Sequence, residues 1–284
     1  CIRDRYSVNN FRGSERGTRM TGWDFPNISP IIFSVGPVAV RWYSMAYLFG
    51  IVTAWLLVRR NIKKYDLPLT NEKLEDLVFY VTLGIILGGR LGYVLFYGGS
   101  EFFKNPLLIF EVWKGGMSFH GGVLGVIAAA YWFARKNGCR FLGITDLIVL
   151  YAPIGIFCGR LANFVNDELW GRVTDVPWAV RFPNGGYLPR HPSQLYEAFF
   201  EGIVMFAVLN FLWRYKSVRE RHGLVSALFI TLYGIFRILM ERFREPDAQL
   251  GFFFGHVTMG QILSLPLIVG GSLIIAYLLR YKKV

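Results

Sequence analysis

Apolar runs of roughly a bilayer's width recur along this chain, and several of them carry arginine or glutamate in their interior. A helix needs about 20 residues to cross the hydrocarbon of a membrane. A charge placed at its centre costs roughly 2.5–3.5 kcal/mol on insertion scales. Charges kept at that cost are expected to face a bundle interior or a wet cavity. The runs fall at about 43–58, 76–97, 119–135, 145–165, 194–213, 223–241 and 259–279. They predict an all-α, polytopic membrane protein of about seven transmembrane helices. Composition agrees: 54% of residues are hydrophobic and only 18% charged, against roughly 25% charged in soluble domains.

The basic residues set the expected orientation. Fifteen Lys and Arg follow the first, third, fifth and seventh runs, and eight lie on the other side. The positive-inside rule then places the N-terminus outside and the C-terminus in the cytoplasm. Segments of about 98–118, 166–193 and 242–258 are expected to face outward. The net charge of +12 is spread over these short segments with no continuous basic face. It fits topology and anionic lipid heads, and nucleic acid is not an expected partner. Cys1, Cys139 and Cys158 form neither a CxxC pair nor a metal-binding spacing. No disulfide framework, metal or cofactor is therefore expected. Residues 1–19 are polar, basic and aperiodic and lack the apolar core of a signal peptide. They are expected to be a non-native or read-through leader before Met20, with 20–284 forming one integral membrane domain.

Small residues recur every fourth position at Gly84, Gly88 and Gly92, at Gly121 and Gly125, and at Gly155 and Gly159. Such ridges let helix backbones approach closely in lipid.

Four clusters concentrate polar chemistry. In GRLANFVNDELWGR, Arg160, Asn163 and Asp167 fall at i, i+3 and i+7 on one helical face, flanked by Asn166 and Glu168. In YGIFRILMERFREPD, Tyr233, Arg237, Glu241 and Arg244 form a second stripe. Arg237 and Glu241 are spaced to pair within the helix, leaving guanidinium donors for an anion. The planar fork of Arg suits phosphate. In GGMSFHGG, His120 sits between glycines, and His is the side chain suited to moving a proton near neutral pH. A lone His is also often purely structural. In YLPRHPSQLYEAFFEG, Pro189 and Pro192 mark a turn before Ser193 or Gln194 opens a helix. Glu197 and Glu201 lie inside that run and need partners, for which the buried arginines are the natural choice. Arg90 stands as a further unpaired cation. Tyr43 is either an interface anchor or a site hydroxyl. The set describes a binding place for an anionic head group carried by an apolar molecule. Neither a nucleotide-binding glycine loop nor a serine elbow is visible.

These four motifs, in their order along the chain, resemble the bacterial phosphatidylglycerol–prolipoprotein diacylglyceryl transferases, and the resemblance runs from about Phe25 to Tyr277. Ala162 and Asp167 stand where that family commonly has Gly, and Asp167 adds an anion beside the site. The resemblance implies a seven-span enzyme of the bacterial inner membrane whose site faces the outer leaflet. It would move a diacylglyceryl group from phosphatidylglycerol to the lipobox cysteine thiol of a prolipoprotein signal peptide, releasing glycerol-1-phosphate. It implies head-group contacts by Arg160 and Arg237, with His120 as the favoured base. It also implies functional roles for Tyr43, Asn163, Glu168, Gly171, Tyr233, Glu241 and Arg244. Two other classes share the buried arginines. A lipid or anion transporter is disfavoured because no repeated half with broken helices is visible. A phospholipid hydrolase would look alike at Arg160, Arg237 and His120.

Overall fold

A helix forms at each of the seven apolar runs. The structure is a computed structural model, and it describes residues 22–26, 28–36, 38–97, 105–110, 115–246 and 257–281. The suggested leader, residues 1–19, lies outside the described residues, as do parts of the segments 98–118 and 242–258. The helices are α1 (Trp42–Tyr65), α2 (Asn71–Tyr97), α3 (Phe119–Asn137), α4 (Phe141–Val165), α5 (Ser193–Trp213), α6 (Leu224–Met240) and α7 (Met259–Tyr281). Five of them, α1, α2, α4, α5 and α7, are long and apolar enough to cross a membrane. Helix α6 is apolar but has 17 residues. Helix α3 has 19 residues, but His120, its glycines and the Arg135–Lys136 pair dilute its hydropathy.

The all-helical expectation needs one amendment. Short strands lie at the end of the bundle that carries residues 166–192. β1 (Trp23–Asp24) runs parallel to β4 (Val180–Arg181), and β4 runs antiparallel to β5 (Pro189–Arg190). β2 (Ile31–Val35) and β3 (Val38–Arg41) make a hairpin that leads into α1. Alternation over two to five residues is too short a signal to read in an apolar sequence.

Packing follows the glycines in part. A side-chain carbon at Gly125 would clash with the Gly84 carbonyl, and one at Gly121 with the Gly88 carbonyl. Helices α2 and α3 therefore lie backbone to backbone. Gly50 of α1 packs on Gly155 of α4, where an added carbon would stand 3.2 Å from the Gly155 Cα. Gly159 does not extend that ridge, because nothing lies within 4 Å of its Cβ position.

The two ends of the bundle differ. At the end opposite residues 166–192, the core is apolar: Leu74, Phe133, Leu150, Met205, Leu209 and Val225 are fully or nearly fully buried. A buried carboxylate there, Asp146 of α4, caps α6 by accepting the Gly223 and Ser226 N–H groups, each at 2.7 Å. A cap of this kind satisfies amides that the first helical turn leaves free. At the other end the buried residues include Arg244, Glu197, Glu201, Glu241, Asn163 and Gln194.

Candidate functional site

Glu197 lies at the centre of the charged end. It opens the middle of α5, where a wide π-type turn runs over Ala198–Val204. Turns of this kind are rare and cluster at functional sites. The Glu197 carboxylate has no solvent exposure, yet three arginines reach it. Arg160 Nη1 of α4 lies 3.0 Å from Oε2. Arg237 Nη1 of α6 donates to Oε1 at 2.8 Å. Arg244 Nη1 lies 3.6 Å from Oε1.

Two further carboxylates complete the set. Glu201, also fully buried, accepts from Arg160 Nε at 3.3 Å and Nη2 at 3.0 Å. Glu241 pairs with Arg237 Nη2 at 2.9 Å. Three arginines therefore face three glutamates across α4, α5 and the end of α6. Removing charges from water is costly unless each is paired. Each charge of this lattice has an opposite partner within 3.6 Å, while Glu197 Oε2, Glu201 Oε1 and Glu241 Oε2 accept no hydrogen bond among the described residues. The Arg160 and Arg237 side chains nevertheless keep 15% and 14% of their surface open. Tyr233 lies within electrostatic reach of Arg160, Arg237, Glu197 and Glu201.

The expected stripes hold only in part. Helix α4 ends at Val165, so Arg160, Asn163 and Asp167 do not share one face. Asn163 Nδ2 donates to Glu168 Oε1 at 2.7 Å, and Asn166 Nδ2 to the same oxygen at 3.3 Å. Glu168 is thus held by two amides at the mouth of the helix. Asp167 turns away instead. It adopts φ +53°, a left-handed conformation that Gly takes freely and that Asp tolerates better than most residues. Its Oδ2 accepts the Asn184 N–H at 2.7 Å. Burial raises the Asp167 carboxyl above its usual range, with the Asn184 amide opposing. The extra anion expected beside the site is therefore spent on a loop.

Helix α6 likewise ends at Met240, but Glu241 and Arg244 follow in a turn that keeps them on the lattice. That turn is secured from outside the bundle. Gly171 N–H donates to the His191 carbonyl at 2.9 Å, His191 N–H to the Arg172 carbonyl at 3.0 Å, and Arg172 N–H to the Phe243 carbonyl at 2.8 Å. Arg172 Nε adds a bond to the Arg244 carbonyl at 2.9 Å. A side-chain carbon at Gly171 would stand 2.5 Å from both the His191 and Phe243 carbonyls. Gly171 thus has a packing reason to be glycine. Arg172 figures in the sequence only as one of the loop cations. Its side-chain bonds to the Arg244 and Glu241 carbonyls leave no mark in residue identity.

His120 and Tyr43 stand apart. His120 is exposed in the first turn of α3, with its ring edge-on to Phe119 at 5.7 Å. Tyr43 begins α1, with its ring 5.2 Å from Tyr47. Neither belongs to the arginine–glutamate lattice. Arg90 corrects the sequence reading of an unpaired cation. It is buried, and it donates to the carbonyls of Ile109 at 2.9 Å, Gly115 at 2.6 Å and Gly116 at 3.1 Å.

The buried arginines with an open edge, the carboxylates that hold them and the separate exposed imidazole suit an anionic lipid and a second, proton-bearing reactant. The family model described as prolipoprotein diacylglyceryl transferase matches residues 30–277. The phosphatidylglycerol–prolipoprotein diacylglyceryl transferase of Vibrio campbellii is 54% identical over 260 residues, covering 92% of this chain and 93% of that one. The protein of the same name from Pseudomonas aeruginosa is 51% identical over 257 residues, covering 90% and 96%. Matches of this length across the whole bundle settle the question of kinship, and the chain belongs to the prolipoprotein diacylglyceryl transferase family.

Proposed function

We propose that the chain carries out the reaction for which its relatives are named, in the bacterial inner membrane. It transfers the diacylglyceryl group of phosphatidylglycerol to the cysteine thiol of a prolipoprotein lipobox. This is the first step of lipoprotein maturation. The observation that carries the reading is the pair Arg160 and Arg237, held rigid by Glu197 and still open on one edge.

The chemistry follows from those parts. The thiol gives up its proton to a base, for which His120 is the candidate. The thiolate sulfur attacks the glyceryl carbon that bears the phosphate oxygen. An S–C bond forms and the C–O bond breaks. The electron pair leaves on the phosphate oxygen, and glycerol-1-phosphate departs. Arg160 and Arg237 hold the phosphate and spread the growing charge. Glu241 and Glu197 orient Arg237, while Glu201 orients Arg160. Asn163, Glu168 and Tyr233 shape the lipid side of the site. Gly171 and Arg244 close it, and Tyr43 is offered from α1 as a further site hydroxyl.

The same reading gives seven spans, N-terminus outside and C-terminus cytoplasmic. Helix α3 packs along α2, and α6 along α7 through Gly234 and Gly271, which supports counting both among the spans. The basic-residue asymmetry supports an outward site, where a translocated signal peptide meets the lipid. Purified protein with phosphatidylglycerol vesicles and a lipobox peptide tests the function. A thioether-linked diacylglyceryl peptide and an equal yield of glycerol-1-phosphate are expected. Lipid cleavage without peptide modification would instead identify a hydrolase. Lipid movement without turnover would identify a transporter.

A further inference from the structure

His120 is exposed, and the contact described for its ring is the neighbouring Phe119. Its place is therefore set by the backbone that delivers it. That backbone is soft by composition. Gly115 and Gly116 precede it with φ values of +83° and +80°, a conformation open to glycine at little steric cost but at a high cost in chain entropy. Something must hold the turn. From α3 itself, the Ser118 hydroxyl caps the helix by accepting the Gly121 N–H at 3.2 Å. From α2, the Gly89 carbonyl accepts the Ser118 N–H at 2.8 Å.

The remaining restraint is Arg90. Its guanidinium is buried on α2, with the residue 5% exposed. Its Nη1 reaches the Gly115 and Gly116 carbonyls together, at 2.6 and 3.1 Å, while Nε takes the Ile109 carbonyl at 2.9 Å. The group also lies 5.7 Å over the Tyr93 ring. A side-chain carbon on Gly116 would stand 2.5 Å from that same ring, so Tyr93 and the fork both abut the turn. A planar fork fixes both distance and direction of the carbonyls it binds. An ammonium is a point charge that fixes neither.

The geometry points to Arg90 as a positioning residue for the reaction, one that clamps the Gly115–Gly116 turn and so sets where the His120 imidazole stands. This rests on His120 belonging to the site, as proposed above. Arg90 touches no reacting atom. It acts from the helix pair α2–α3, apart from the arginine–glutamate lattice of α4, α5 and α6.

Arg90→Lys tests it, because charge is kept and the fork is lost. Two quantities are read on the full-length protein in detergent: steady-state kinetics, and the rate at which diethyl pyrocarbonate modifies His120, followed by peptide mass spectrometry. We expect kcat to fall by up to about 10²-fold, the penalty for a misplacement on the scale of an ångström. KM for phosphatidylglycerol should stay within about threefold, since the lipid-binding arginines are untouched. The His120 modification rate should change by about threefold or more, a shift that follows from altered exposure of the ring. An unchanged modification rate overturns the inference, whatever happens to turnover. A changed modification rate with unchanged kcat also overturns it, because placement of His120 would then not matter to the reaction. His120→Gln is run beside it. Normal turnover in that variant removes the base assignment itself, and the modification assay of Arg90→Lys still reports whether the clamp exists.

Discussion

Two regions at the same end of the bundle are built on opposite principles. Across α4, α5 and α6, Arg160, Arg237 and Arg244 are held by carboxylates that are almost wholly buried. Across α2 and α3, His120 is exposed and held through glycine backbones and a clamp on carbonyls. The first region draws its rigidity from charge, and in the proposed reaction the same charges hold the phosphate. The second draws its rigidity from close packing, and its proposed base is an exposed ring. A substitution should therefore damage both fold and reaction in the first region, but separate the two in the second.

The largest expected effect is at Glu197. Glu197→Ala strips one partner from three arginines and leaves charge buried without compensation. Breaking a buried pair in this way costs about 3–5 kcal/mol. Thermal unfolding in detergent should show a drop of that size, and turnover should vanish with it. A variant that unfolds normally but is inactive would show that the lattice serves catalysis alone, and the comparison would fail on its first side. Arg160→Ala and Arg237→Ala in protein that remains folded should each lower kcat/KM by about 10²–10³-fold, the loss seen when one donor to a developing negative charge is removed. Near-normal turnover in either would end its head-group role.

The second side is sharpened by His120→Gln. Turnover should fall by about 10²-fold or more, the contribution typical of a positioned general base. The unfolding midpoint should stay where it is, because the ring is exposed. A large loss of stability would mean that His120 is structural after all. Gly121→Ala supplies the converse. Its new methyl meets the Gly88 carbonyl, and overpacking of this kind costs about 1–3 kcal/mol. Stability should fall first, with activity following as α3 shifts. A variant with full stability would mean that α2 and α3 can part without strain.

Much of this was legible in the sequence, for one physical reason. In lipid a charged residue is conspicuous, so Arg160, Arg237, Glu197, Glu201 and Glu241 could be singled out from their apolar surroundings alone. Their need for one another followed from the cost of leaving any of them unpaired. Which carboxylate meets which arginine did not follow. Glu197 binds across three segments far apart in the chain, and helical spacing speaks only of neighbours on one helix. The stripe Arg160–Asn163–Asp167 failed because periodicity does not mark where a helix stops. Arg90 and Arg172 were opaque for a different reason. They bind carbonyl oxygens, which every residue possesses. Gly171 and Asp167 were visible as identities, but the close approach of one and the positive φ of the other belong to the loop as folded.

The smallest expected effect lies in the loop backbone that braces the lattice, at His191, just after β5. Trp178 Nε1 donates to Tyr196 Oη at 2.7 Å, and that oxygen lies 3.2 Å from His191 Nδ1. With its own proton, the Tyr196 hydroxyl can donate onward to Nδ1 only if the imidazole is neutral and Nδ1 is an acceptor. Burial acts the same way and holds the His191 pKa below its ordinary value. A pKa lower in the folded than in the unfolded state means that the unfolded chain binds the proton more readily. The penalty is absent while both states are neutral. It grows as pH falls through the unfolded value of about 6.5 and levels off below the folded one. Unfolding between pH 7.5 and 5 should therefore show a stability loss in the parent protein that is smaller in His191→Gln, whose amide can keep a bond to Tyr196 without titrating. The effect should be slight, because the ring is only partly buried and water screens the added charge. Since His191 lends its backbone to the Gly171–Arg172 brace, the same acidification should loosen Glu241 and Arg244 before it reaches Arg160. Amide exchange over residues 241–246, compared between parent and variant, would measure that order. Equal pH dependence in the two proteins would show that the brace does not depend on the charge of His191.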